Sequence, residues 1–116
     1  MPRQIAPILS EIIAAIEGIE QSMQSKSFED FRREWLLKHG IQRGIEIVSE
    51  ASRHIPDELR DAFPDVPWKR IAGIGSVLRH EYHRISDAVI WNVVTEYLAD
   101  LKEAVLKMQA ELEDEA

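Results

Sequence analysis

Hydrophobic positions recur every three or four residues along most of the chain, which is the pattern of amphipathic helices. Two stripes are especially regular. The first consists of Ile5, Leu9, Ile12, Ile16, Ile19 and Met23. The second, near the other end, consists of Ile90, Val94, Tyr97, Leu101, Val105, Met108 and Leu112. No stretch alternates strictly between apolar and polar residues as a half-buried strand does. The pattern therefore predicts an all-α protein.

Capping residues and prolines predict where the remaining helices begin and end. Ser25 or Ser27 can cap a second helix that runs from about Phe28 into the low fifties. Pro56 ends it, because proline disfavours the helical conformation in the residue before it. A short helix over 56–63 follows, then a third long helix from near Val66, and a last helix from residues 86–87. The expected core side chains of the two middle helices are Phe28, Phe31, Trp35, Ile45, Val48, Trp68, Ile71, Ile74 and Leu78. We expect one domain over residues 1–116, a bundle of four main helices plus a short one.

Composition narrows the class of protein. Of the 116 residues, 45% are hydrophobic and 30% charged, as in globular rather than disordered chains. There is no cysteine, which excludes disulfides and thiolate metal sites. No apolar run approaches the length of a membrane span, and polar residues interrupt the first dozen positions, so we expect no signal peptide. A cytoplasmic protein without membrane contact is the expectation.

The charge is unevenly distributed. The net charge of −7 argues against a general nucleic-acid coat, but residues 67–84 carry four cations and one anion, a net +3, which leaves −10 for the rest. This basic island can meet a phosphate group. The alternative is an ordinary solvent-facing helix surface.

The chemically richest stretch is residues 75–82, GSVLRHEY. Ser76, His80 and Arg84 are spaced at i, i+4 and i+8, so a continuous helix would line them along one face. An imidazole can transfer a proton near neutral pH, and a guanidinium can offset negative charge that develops on a phosphate. Arg79 and His83 flank this face. The stretch is thus a candidate phosphodiester site.

Two other interpretations stay open for the same stretch. It can be a polar helix end whose Glu81 pairs locally with a cation. A metal site is the weaker alternative, because His80 and His83 are suitably spaced but a tetrahedral site needs further donors. We therefore expect no metal and no other cofactor.

Residues 27–101 resemble the HepT-like branch of the HEPN superfamily, all-α domains found largely in prokaryotic toxin–antitoxin and defence systems. The resemblance rests on an ordered series of segments: GIEIVSEA at 44–51, FPDVPWKRIAGI at 63–74, HEY at 80–82 and VIW at 89–91. It implies a homodimer in which two facing motifs form an RNA-cleaving cleft without a required metal.

The family motif maps onto the chain with one departure. His80 takes the place of the family histidine and Tyr82 that of the tyrosine, whereas the family Arg-Asn pair falls on Gly75 and Ser76. The resemblance implies an endoribonuclease toxin with His80 as catalytic residue. The missing positive charge then has to come from Arg79, Arg84 or Arg70, and the candidates for RNA or nucleotide binding are Ser76, Arg70 and His83. The alternative is a catalytically degenerate HEPN subunit that binds nucleotide or RNA without cutting it.

The resemblance also implies a partner and a modification. In this branch a minimal nucleotidyltransferase acts as antitoxin and transfers AMP to the motif tyrosine, here Tyr82. Negative charge added there would repel RNA. The alternative is a tyrosine that packs its ring on the core.

Glycines 73 and 75 need a separate explanation, because each lowers helix stability by about 1 kcal/mol relative to alanine. They predict close backbone approach, either at a dimer interface or within the chain.

Overall fold

The structure is a computed structural model that describes residues 4–81 and 85–115. Within these ranges every regular element is a helix, and four of the helices are long, which confirms the all-α prediction. In chain order the elements are α1 (Ile5–Met23), α2 (Phe28–Arg33), α3 (Trp35–Ser52), α4 (Asp57–Asp61), α5 (Trp68–Glu81), α6 (Asp87–Asn92), a π-helical turn (Val93–Tyr97) and α7 (Leu98–Glu115). None of the helices described is long and apolar enough to cross a membrane.

The core lies between α1, α3 and α7. Helix α1 packs on both α3 and α7, and α5 packs mainly on α3. The fully buried side chains include Leu9, Ile12, Ile16, Ile45, Val48, Leu101, Val105 and Met108, most of them predicted from the periodicity. Gly44 lets α1 approach α3 closely, since a Cβ there would lie 2.9 Å from the Ile19 side chain. Helices α1, α3 and α7 thus enclose the core, and α5 packs against α3.

The second predicted helix is in fact two helices, so that prediction is wrong. Glu34 is extended (φ −86°, ψ 100°) and separates α2 from α3. The break reorients the phenylalanines, because on one continuous helix Phe28 would point about 100° away from Ile45. In α2, Phe28 and Phe31 instead lie with their ring centroids 5.6 and 5.9 Å from that of Trp91. Aromatic packing therefore sets the direction of α2.

Helix α2 begins as the sequence predicts, at Ser27. The Ser27 hydroxyl accepts from the Asp30 N–H at 3.1 Å, and Asp30 Oδ2 accepts from the Ser27 N–H at 3.0 Å, which forms a capping box. The hydrogen bond from the Ser27 backbone lowers the pKa of Asp30. The C-terminal end of α2 is tied back to the residue before its cap. There, Lys26 Nζ donates to both carboxylate oxygens of Glu34 at 3.0 Å.

Trp35 was predicted to be a core residue, and that prediction is wrong. It begins α3, is 68% exposed, and stacks on His39 with ring centroids 4.2 Å apart. The break at Glu34 directs α2 towards Trp91 and leaves Trp35 outside the aromatic cluster.

The last helix starts at its predicted position, and the Ser86 hydroxyl caps it by accepting from the Val89 N–H at 3.3 Å. Its π-helical turn was not predicted. A π turn takes up one extra residue, so the buried stripe passes from Ile90 to Leu98 while Tyr97 is only half-buried.

Helix α5 begins at Trp68, two residues later than predicted, and the Pro67 carbonyl accepts its first hydrogen bond from the Ile71 N–H at 3.1 Å. The Trp68 indole N–H donates to the carbonyls of Arg60 and Phe63, both at 3.1 Å. These bonds tie the start of α5 to the short helix α4.

Candidate functional site

Polar contacts fix α5 antiparallel to α3. Ser49 Oγ donates to the Ala72 carbonyl at 2.9 Å and accepts from the Gly75 N–H at 3.2 Å. One turn further along α3, Arg53 Nη2 donates to the same Ala72 carbonyl at 2.7 Å. Arg53 thus contacts position 72 of α5, whereas Ser49, which comes earlier in α3, also reaches the later position 75. The two helices therefore run in opposite directions. The rotation of α5 about its own axis is thereby set.

Gly75 lies in close contact with Ser49 of α3. A Cβ at this position would lie 2.5 Å from Ser49 Cβ and even closer to Ser49 Oγ. Real Cβ atoms do not approach so closely, so glycine is required unless one helix shifts. Of the two explanations for this glycine, packing within the chain therefore accounts for it. The position that carries arginine in the resembled motif is filled here by the neighbouring helix.

Gly73 differs from Gly75. It is exposed, and no atom of the described residues lies within 4 Å of a Cβ built there. Packing within the described chain thus gives no reason for this glycine.

His80 lies on the side of α5 that faces away from α3. Its side chain is exposed, and Ser76, one helical turn earlier, is half-buried on the same side. Lys69, two turns before Ser76, is also exposed there. This outer face of α5 (Lys69, Gly73, Ser76 and His80) offers an imidazole, a hydroxyl and an ammonium group to solvent.

Two of the arginines predicted to serve this site, Arg79 and Arg70, lie elsewhere. Arg79 Nη1 is 3.8 Å from Glu50 Oε2 on α3, and the other oxygen of Glu50 is 3.5 Å from His54 Nε2. Arg70 Nη1 donates to the Tyr97 hydroxyl at 3.1 Å. Ten residues separate Arg70 from His80, about 15 Å along a helix, so the structure does not bring these two together.

Tyr82, His83 and Arg84 lie outside the described residues. Their proposed roles, and the alignment of Arg84 with Ser76 and His80, stay predictions.

Sequence reasoning missed several neighbours of the site. Glu50 lies beside Arg79 and also contacts His54, and the i, i+4 spacing of Glu50 and His54 on a predicted helix was the available signal for that pair. A second omission is a largely apolar cavity of about 480 Å³ between α5 and the start of the last helix, lined among others by Ile74, Val77 and Val93. Over residues 4–81 and 85–115 no group of three or more His, Asp or Glu side chains is placed to hold a metal ion.

Comparison with known proteins identifies the family. The profile of a family described as "Ribonuclease HepT-like" matches residues 12–108, which is most of the chain and includes all of α3 and α5. The chain belongs to the HepT-like family of the HEPN superfamily. No solved structure matches it significantly.

Curated HepT-like relatives cover nearly all of the chain. A Thermococcus cleftensis protein named "Probable ribonuclease HepT" is 33% identical over 102 residues, 88% of this chain and 93% of its own length. A Caldanaerobacter subterraneus protein named "Putative RNase" is 33% identical over 99 residues, 85% of this chain and 88% of its own. A Methanocaldococcus jannaschii protein named "Gamma-glutamylcyclotransferase and putative RNase" is 32% identical over 113 residues. That match covers 97% of this chain but only 51% of the longer protein. The family and these names support a ribonuclease role.

The close contact at Gly75 makes a prediction about stability. Gly75→Ala should lower the free energy of unfolding by about 1–3 kcal/mol, because the new methyl group overpacks against Ser49. Gly18→Ala is the matched control and should raise it by up to about 1 kcal/mol, since that helical position is open. Urea unfolding followed by circular dichroism measures both.

A second substitution tests the cause of the effect. In a Ser49→Gly background both clashing atoms are gone, so Gly75→Ala should lose most of its destabilising effect. If Gly75→Ala is as stable as Gly18→Ala in the parent chain, the packing account is wrong.

Proposed function

We propose that this HepT-like chain acts on RNA as a metal-independent endoribonuclease. The observation that carries the proposal is the exposed imidazole of His80, one turn from Ser76, on a face of α5 directed away from α3, in a family whose curated relatives are named as ribonucleases. His80 is the proposed catalytic residue. Arg79 or Arg84 supplies the positive charge, and Ser76, Arg70 and His83 contact RNA or nucleotide.

The proposed chemistry needs no metal because RNA carries its own nucleophile. The 2′-oxygen attacks the adjacent phosphorus and the bond to the 5′-oxygen breaks, while a base takes the 2′ proton and an acid protonates the leaving oxygen. His80 can perform one of these transfers. Arg79 is available for the phosphate because its contact with Glu50 is long and exposed, a kind of ion pair that contributes little stability.

The proposed active form is a homodimer in which the outer faces of two α5 helices meet. Such an arrangement would supply a second imidazole for the other proton transfer. Exposed Gly73 supports it, since a glycine without close neighbours inside the chain permits close approach by another helix.

A second candidate function has its own support. The burial of Gly75 against Ser49 leaves no cationic side chain at the position of the motif arginine. Loss of a group that stabilises the transition state typically slows catalysis by about 10²-fold or more. On this alternative the chain is a catalytically degenerate subunit that binds RNA or nucleotide.

The proposed biological setting is a cytoplasmic toxin–antitoxin pair. The partner would be a cognate minimal nucleotidyltransferase that transfers AMP from ATP to Tyr82: the phenolic oxygen attacks the α-phosphorus, pyrophosphate leaves, and the phenolic proton passes to solvent. The added phosphate would repel the RNA backbone beside His80. The same partnership fits the degenerate alternative.

Removal of the imidazole separates the two functions. His80→Ala should abolish cleavage of single-stranded RNA, whereas His54→Ala, which removes another exposed imidazole, should leave it unchanged. Wild-type cleavage should also persist in excess EDTA. A fluorescent oligoribonucleotide resolved by gel electrophoresis reports the rates. RNA that binds but is never cut by the wild type would favour the degenerate subunit.

The dimer proposal predicts that bulk at Gly73 separates the protomers. Gly73→Leu should change the mass from two chains to one, because the leucine would occupy the space of the approaching helix. Gly18→Leu is the matched control, since Gly18 is an equally open glycine on α1. Light scattering after size exclusion measures the mass. A wild-type monomer, or a dimeric Gly73→Leu variant, would contradict the proposal.

The modification proposal predicts a single modified residue. Co-expression with the nucleotidyltransferase should add one adenylate to the intact mass and abolish cleavage. Tyr82→Phe should remove the mass shift, whereas Tyr97→Phe, which changes the chain's other tyrosine, should retain it. An unmodified wild-type chain, or one modified elsewhere, would refute the role of Tyr82.

A further inference from the structure

The exposed indole of Trp35 is the most unusual side chain that the ribonuclease proposal does not use. It is 68% exposed, whereas Trp68 and Trp91 are both half-buried and packed against the core. Its position is held from two directions. The indole stacks on the His39 ring at an interplanar angle of 26°, and His39 Nδ1–H donates to the Trp35 carbonyl at 2.8 Å. An aromatic surface is therefore displayed to solvent in a defined orientation.

Trp35 forms one wall of a cleft between α3 and the last turn of α5. The cleft has a volume of about 350 Å³ and is lined by Trp35, His39, Gln42, Arg43, Glu46 and Leu78. Pockets for small ligands usually measure about 300–1,000 Å³, so one aromatic base would fit. The sole lining residue from α5 within the described chain is Leu78, two residues before His80. Because these two residues are rotated by about 200° from one another, the cleft and His80 lie on different sides of α5.

The chemistry of the lining groups matches a nucleobase. An amide at Gln42 can donate and accept hydrogen bonds, and a carboxylate at Glu46 can accept them from a ring N–H or an exocyclic amino group of a base. Glu46 is only 18% exposed and lies 3.6 Å from the guanidinium of Arg43, which is 69% exposed. Stacking on an aromatic side chain with polar contacts to the base edge and a cation near the backbone is how proteins hold single-stranded RNA.

A protein partner fits this cleft less well. Trp35 is followed by Leu36, which is 78% exposed but lines a different groove, between α1 and α3. The two apolar side chains therefore do not form one patch. Glutamate is depleted in protein interfaces, yet the half-buried Glu46 lies within this cleft.

We propose that the cleft beside Trp35 is a base-binding subsite for single-stranded RNA, in which a nucleotide of the bound strand stacks on the indole. The subsite rests on the proposed function in that RNA is the ligand. It adds a specificity site on α3 to the proposed cleavage site on α5. Trp35 is thus a binding residue with no part in the proton transfers.

Binding is measured in a His80→Ala background, so that the RNA stays intact. The probe is a short 5′-fluorescein oligouridylate, followed by anisotropy. Trp35→Ala should weaken binding roughly 5- to 100-fold, the range expected for loss of one stacked base. Trp35→Phe keeps a ring and should retain most of the affinity, and Leu36→Ala, an equally exposed control, should retain all of it.

An abasic oligomer of the same length tests whether the indole contacts a base. The effect of Trp35→Ala should vanish with this ligand, because no base remains to stack. Equal weakening of the uridylate and abasic ligands, or unchanged uridylate affinity, overturns the subsite. A Trp35→Ala variant that loses oligomer mass but binds RNA normally also overturns it and assigns Trp35 to an interface between chains.

Steady-state cleavage with His80 intact separates this inference from the function on which it rests. Trp35→Ala should raise KM with little change in kcat. If the wild type cuts RNA and Trp35→Ala has the parent KM, the subsite is wrong and the ribonuclease function stands. If the wild type neither binds nor cuts RNA, both are wrong.

Discussion

The contact between Ser49 on α3 and Gly75 on α5 is the constraint on which the rest of the site depends. Successive residues of a helix are rotated by about 100°. With Gly75 held against α3, His80, five residues later, must point well away from α3 into solvent. Arg79 is rotated by only about 40° from Gly75, which explains why it lies at the edge of α3 beside Glu50. One hydroxyl and one missing side chain thus set the directions of the neighbouring ionisable groups.

The same constraint divides the basic island found in the sequence. Two of its four cations, Arg70 and Arg79, lie in separate contacts on the folded chain. Arg70 lies against Tyr97 on the last helix, and Arg79 lies against Glu50 on α3. Contacts of this exposed kind contribute little to stability, so an approaching phosphate could redirect the side chains at small energetic penalty. Electrostatic support for the His80 face would then arise when ligand binds.

Aromatic packing at the beginning of α3 has consequences on both sides of Glu34. On one side, α2 turns to place Phe28 and Phe31 against Trp91, and this connects it to the last helix. On the other side, the indole of Trp35 is left in solvent and is stabilised by His39 alone among the rings described. The break at Glu34, which lets α2 pack on Trp91, therefore also exposes the indole of Trp35 near the end of α5. Both halves of the proposed RNA-binding surface, at His80 and at Trp35, follow from how other residues pack against α3.

The periodicity of apolar residues was sufficient to predict the helical class, the four long helices and most of the core, because burial of one stripe per helix is a local property of the sequence. The caps at Ser27 and Ser86 were predictable for the same reason, and the ordered motifs around HEY identified the family and located His80. The break at Glu34 and the exposure of Trp35 were not predictable, since both follow from the packing of α2 against Trp91, a residue distant in sequence. The reason for Gly75 was likewise not predictable. A glycine in a helix indicates a close contact, but only the packed helices show that the contact is with Ser49. The sequence by itself determined which groups are present and on which helix, and the tertiary structure decided which of them meet, because the rotation of each helix is set by its neighbours.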